Sequence, residues 1–148
     1  KQQTDNPITH VFTSHVHGDH WLANHAIKEA FPEATFYGHP EMIKLAHNGD
    51  AASWIKTMES LTERATQGTE AVIPTEALKN AQLIKIDEIT IKAHLAQKKA
   101  HTTSDAMYEI LEDKVLFTGD NINHRRIVRM DDGSFAGQIN RECHGMSP

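Results

Sequence analysis

The chain has 148 residues, enough for one domain able to bury a genuine core. Hydrophobic residues make up 39% and charged residues 24%, a balance within the globular range. The formal charge of -5 argues against a nucleic-acid backbone as partner, and no apolar run approaches the roughly 20 residues that a membrane helix needs.

In chain order, Ile8 to Thr13 reads as a short strand, β-branched and aromatic. Ser14 to Asp19 breaks that pattern around Gly18. From His20 to Phe31 the apolar residues Trp21, Leu22, Ala26, Ile27, Ala30 and Phe31 recur at helical spacing, which predicts a helix N-capped by Asp19 and stopped by Pro32. Ala34 to Tyr37 reads as a second strand, Pro40 to His47 as a short helix, and Asn48-Gly49-Asp50 as a turn. Ala51 to Ala65 carries an apolar stripe of Trp54, Ile55, Met58, Leu61 and Ala65, as an amphipathic helix does.

Gln67 to Asn80 has no regular pattern. Leu83 to Ile86 and Ile89 to Ala93 form a predicted hairpin about Asp87-Glu88, and Ala106 to Leu111 with Lys114 to Thr118 a second one. Asp131 to Ser134 is a turn, and Phe135 to Cys143 has room for one or two helical turns. No repeat or linker interrupts this order, which predicts one α/β domain of sheets with helices packed outside them.

Lys1 to Pro7 has no apolar signal core, which leaves the location open between the cytoplasm and, if a leader was removed, the periplasm or the outside of the cell. A single cysteine, Cys143, excludes an intrachain disulfide framework.

Eleven histidines are the unusual figure, and their positions carry the chemistry. In His15-Val16-His17-Gly18-Asp19-His20, two histidines stand two residues apart after a strand, so an extended backbone aims both to one side. Asp19 and His20 follow the small residue Gly18, where the chain can turn back to the same point. Two imidazoles suit zinc, and a carboxylate beside a third imidazole suits a second divalent ion. His101 lies in a loop between the two hairpins, where an isolated histidine can point inward. Asp120 ends the strand Phe117-Thr118-Gly119, and a carboxylate buried there needs cationic partners.

The order HxHxDH, then a histidine in Ala100-His101-Thr102-Thr103-Ser104-Asp105, then Thr118-Gly119-Asp120, resembles that of the metallo-β-lactamase superfamily from about Pro7 to Ile139. Thr13-Ser14-His15 resembles the family's entry to the motif, Phe31-Pro32-Glu33-Ala34 its connector after the first helix, and Asp132 to Gly137 the opening of a later helix. The resemblance implies an αββα sandwich. It implies that His15, His17 and His101 hold one ion and Asp19 and His20 a second, with Asp120 bridging. A last family ligand is a histidine, for which His144 is the late candidate.

The family usually has a sheet layer before HxHxDH and a longer stretch before its last histidine. The expected sandwich is therefore incomplete, lacking an N-terminal sheet layer and part of the C-terminal region, and pairing between chains as a homo-oligomer is one way to complete it. The resemblance further implies a dizinc hydrolase that turns a metal-activated hydroxide on a small carbonyl substrate, such as a β-lactam, lactone, thioester or ester. Asp19 can orient the nucleophile or carry a proton, and Thr102, Ser104 and Asp105 can fix His101. An iron-dependent oxygen or sulfur enzyme is the alternative on this scaffold, although that branch usually carries a glutamate where this chain has His17. Manganese is a further candidate ion, and a non-catalytic metal-binding fragment is the third reading.

Overall fold

A computed structural model describes residues 6–129, 132–137 and 139. Two sheets face each other. The first is parallel, in the order β1 (His10–Phe12), β2 (Thr35–Gly38), β3 (Glu76–Ala77). Parallel neighbours require crossovers. The first is made by α1 (Asn24–Ala30), the second by α2 (Pro40–Leu45) and α3 (Ala51–Leu61). The second sheet is an antiparallel meander of β4 (Leu83–Ile86), β5 (Ile89–Leu95), β6 (Ala106–Ile110) and β7 (Val115–Phe117).

Alternation along β2 separates the layers, because adjacent strand residues point to opposite faces. Phe36 is buried and meets α1, whose Lys28 ammonium lies 6.0 Å from its ring centroid. Tyr37 lies on the other face with its register partner Phe12, and the Phe12 ring meets Tyr108 of β6 at 5.1 Å. Leu78, Ile91, Ala93, Leu95, Ala106 and Tyr108 complete this layer between the sheets. Val16, Trp21, Leu22, Met42, Ala46 and Ala51 form a second core under the helices. Each large side chain fully buried in this way contributes about 1.5–3 kcal/mol.

The strands and both hairpins follow the sequence pattern. β5 runs on to Leu95, and the two hairpins share one sheet because β5 also pairs with β6. Three elements depart from expectation. Gly18–His20 is a 3-10 turn that contains Asp19, which makes no capping hydrogen bond, and α1 begins only at Asn24. The cause is Trp21. Its buried indole N–H donates to the Val16 carbonyl at 2.9 Å, which holds its backbone at φ -149, outside the helical region.

α3 stops at Leu61, short of Ala65. The Thr62 hydroxyl donates back to the Met58 carbonyl at 2.7 Å, and Glu63 and Arg64 then take left-handed backbone. β3 emerges from the stretch without a pattern, its two residues recruited by the edge of β2. Between α2 and α3 the chain turns at Gly49, where φ of 119 favours glycine.

Two hydrogen bonds across the layers place the future site. The Ser14 carbonyl accepts from Ala106 N–H at 2.7 Å, and the Thr13 carbonyl accepts from the Tyr108 hydroxyl at 2.6 Å. The end of β1 is thereby fixed against the start of β6, and the loop bearing His101 is brought to the HxHxDH segment. Beside them, Phe12, Ile91, Tyr108 and Phe117 line a cleft of about 440 Å³ that ends at Ser14, His20 and Gly119.

Candidate metal centre

Four imidazoles gather where β1 meets the loop before β6. Around the His15 ring, centroids lie at 4.1 Å for His20, 4.7 Å for His17 and 4.9 Å for His101, and His17 and His101 are 5.0 Å apart. Nitrogen atoms of His15, His17 and His101 converge within 4.8 Å of one another, as do ligand atoms of His15, His20 and Asp120. Either group could hold a divalent ion, and His15 belongs to both.

Asp120 sits in the 3-10 turn Gly119–Asn121 that follows β7. Its Oδ1 is 3.4 Å from His20 Nε2 and its Oδ2 is 3.7 Å from His101 Nε2. One carboxylate thus turns one oxygen toward each group. Asp19 lies at the rim, with Oδ2 3.7 Å from His20 Nε2 and its side chain 61% exposed. The structure therefore gathers His15, His17, His20, His101 and Asp120 tightly and Asp19 more loosely. His144 and Cys143 lie outside the described residues.

His15 is the buried member. Burial, then the neighbouring His20, His17 and His101, push its pKa down from 6.5 to about 2. Its ring is neutral at any ordinary pH, so a lone pair is always available. Its Nε2 is buried and has no hydrogen-bond partner among the described residues. Leaving such an atom unmatched costs about 1–3 kcal/mol. A cation bound at that nitrogen removes the cost, so the donor set fits a metal.

The outer nitrogens of the rings have partners. His101 Nδ1 faces the Arg129 carbonyl at 2.5 Å, leaving Nε2 to point inward. His17 Nε2 meets Asp132 Oδ2 at 3.0 Å, leaving Nδ1 inward, 3.3 Å from His101 Nε2. Ser14 Oγ lies 3.0 Å from His15 Nδ1 and 3.1 Å from His20 Nδ1. Such outer partners fix which nitrogen faces a metal.

The sequence assigned none of these roles. Ser14 was visible only as part of the entry to the motif, and Asp132 only as a turn residue at the opening of a later helix. Thr102, Ser104 and Asp105, expected to fix His101, bond to one another within the loop that carries it. The buried Asp105 carboxylate accepts from Thr102 N–H and from its hydroxyl, both at 2.8 Å, while the imidazole is held by Arg129.

Trp54, read only as part of an apolar stripe, stands against the site. Its ring is 5.0 Å from that of His17, and a Cβ on Gly18 would come within 3.0 Å of the Trp54 Cβ. α3 therefore flanks the metal loop, and Gly18 allows the close packing. Trp21 is core. His124, Arg125 and Arg126 are exposed. Two further histidines are employed elsewhere: His39 caps α2 by accepting from Glu41 N–H at 3.0 Å, and His94 pairs with Glu109 at 2.8 Å.

A family model described as the metallo-beta-lactamase superfamily matches residues 1–143. The chain belongs to that superfamily. Among solved structures it is similar to the BLEG-1 B3 metallo-beta-lactamase, with 21% identity and a TM-score of 0.68 over 93% of this chain and 62% of that one. It is also similar to a metallo-beta-lactamase from Pontibacter korlensis, at 14% identity and a TM-score of 0.70, covering 98% of this chain and 60% of that one. A third neighbour is TTHA1623 in a di-iron-bound form, at 16% identity and a TM-score of 0.67, covering 97% of this chain and 66% of that one. This superfamily member thus spans about three fifths of the length of these neighbours, and at such identities the likeness is one of fold. No curated protein sequence matches it.

Proposed function

We propose that this chain carries a two-metal hydrolase site that acts on a small carbonyl substrate such as a β-lactam, lactone, thioester or ester. The observation that carries the reading is Asp120, whose two oxygens are divided between His20 and His101. In this reading His15, His17 and His101 hold one ion, and Asp19 and His20 hold the other. Asp120 joins them. His144 is proposed as a further ligand from the sequence alone.

Two divalent ions held by these residues would supply an acidified water and a Lewis acid for the substrate's carbonyl oxygen. The chain's own residues do the rest. Arg129 and Asp132 hold His101 and His17 in the tautomers that face inward. In this reading Asp19, largely exposed, would receive the nucleophile's proton on a carboxylate oxygen and pass it to the leaving group. Trp54 packs its ring against that of His17, 5.0 Å away.

Imidazole-rich donors suit zinc and also iron. The neighbour solved in a di-iron-bound form favours iron as the second reading. Protein purified without added metal, analysed for its elements and by anomalous scattering at the zinc and iron edges, distinguishes them. Two zinc ions per chain, with ester or lactam turnover abolished by a chelator and restored by zinc, is the expected result. Chelator-resistant turnover, or fewer than two ions at saturating metal, overturns the reading.

Asp132 gives a narrower test. Asp132→Ala removes the carboxylate that meets His17, and the first ion is expected to bind about 10–100-fold more weakly. Competition with a chromogenic chelator measures this. An unchanged affinity would show that the Asp132 contact does not orient His17.

A further inference from the structure

Ser14 occupies an unusual position: one hydroxyl lies within hydrogen-bond distance of a ring from each half of the site, at 3.0 Å from His15 Nδ1 and 3.1 Å from His20 Nδ1. A serine hydroxyl has one proton to give and two lone pairs to receive. Were both rings to present bare Nδ1 atoms, the hydroxyl could satisfy only one of them. Were one ring to donate and the other to accept, the accepting ring would carry its proton on Nε2. For His15 that would aim a buried N–H at a point where no acceptor stands among the described residues. For His20 it would set an N–H against Asp120 Oδ1, 3.4 Å away, and take from a cation the lone pair that its subsite needs. Two Nδ1–H groups donating to the two lone pairs give both Nδ1 atoms a partner and turn both Nε2 atoms inward, with the hydroxyl's own proton taking no part in either bond.

The backbone holds the hydroxyl there. The Ser14 carbonyl is tied to Ala106 N–H, and Gly119, at φ of 54, presses against the side chain so closely that a Cβ on it would lie 2.9 Å from the Ser14 Cβ. The bare glycine makes room for Ser14 between the turn that carries Asp120 and the two imidazoles.

We propose that Ser14 is a positioning residue shared by both metal subsites, its single hydroxyl accepting from His15 and His20 together and setting the tautomer of each. The proposal rests on the two-metal reading for its effect on metal binding and for the His20 tautomer, whereas the His15 tautomer rests on a buried Nε2 with no partner among the described residues. The first measurement therefore uses metal-free wild-type protein. Long-range proton–nitrogen correlation spectra of nitrogen-15-labelled chain at alkaline pH are expected to show both rings protonated on Nδ1. A proton on Nε2 of either ring overturns the proposal whatever the metal count.

The second measurement is zinc titration of Ser14→Ala and Ser14→Thr against wild type. Ser14→Ala is expected to lose about 10–100-fold in affinity for each of two ions, with both rings drifting toward the Nε2–H form. Ser14→Thr, which keeps the hydroxyl, restores both properties. Weakening at one ion only, or wild-type tautomers in Ser14→Ala, overturns the shared role. Should wild type bind a single ion while both rings carry Nδ1–H, the two-metal reading fails and the tautomer assignment stands.

Discussion

Asp120→Ala is expected to cut the bound metal from two ions per chain to one and to lower turnover by about a thousand-fold or more, the scale on which a single electrostatic element of a catalytic site acts. The reasoning is geometric. Each of the other candidate ligands offers one inward atom to one group or, for His15, one nitrogen at the junction. Asp120 alone offers two atoms, one 3.4 Å from His20 Nε2 and one 3.7 Å from His101 Nε2. In the two-metal reading its removal would take away the negative charge that offsets the repulsion of two cations, so the less completely ligated ion would be the one released. That ion belongs to the His20 side, where Asp19 stands at the rim. Asp120→Asn keeps the shape and one oxygen but loses the charge, and an intermediate loss is expected. Because the side chain is 37% exposed in a turn, the fold should survive, which circular dichroism checks. Retention of both ions by a folded Asp120→Ala would remove the bridging role from the mechanism.

The HxHxDH segment was legible because a strand, a glycine and four ligand-type residues coincide within six positions, so local geometry alone makes them converge. Asp120 was legible for a related reason: a strand end followed by glycine delivers a carboxylate to one edge of a sheet. The start of α1 was not legible. Helical spacing of Trp21 and Leu22 is a local signal, whereas the indole's hydrogen bond to Val16 is a tertiary contact that overrides it. The same distinction separates the ligands from what holds them. His17 and Asp132 are 115 residues apart and His101 and Arg129 are 28 apart, so no periodicity could pair them. Ser14 was adjacent to a ligand, yet its second partner, His20, is reached only because the Gly18–His20 turn folds back.

The metal-free protein is expected to lose stability steeply as the pH falls below about 6.5, and His15 is the reason. Its folded pKa, about 2, lies below the 6.5 of an unperturbed ring. Between those values the unfolded chain holds a proton at His15 that the folded chain does not, so unfolding takes up a proton and acid favours it. The stabilisation is fully present above the unfolded value and drains away as pH drops toward the folded one. The slope for one such proton is about 1.4 kcal/mol per pH unit, large against the roughly 5–15 kcal/mol by which domains are stable. Carboxylates add their own acid sensitivity, so the informative quantity is a difference. Urea unfolding of metal-free wild type and His15→Asn, compared at pH 7, 6 and 5, should show the wild type losing stability faster by close to that slope. Parallel curves for the two proteins would mean that His15 is protonated in the folded state. The buried, unpartnered Nε2 would then not be the lone pair on which the metal site depends.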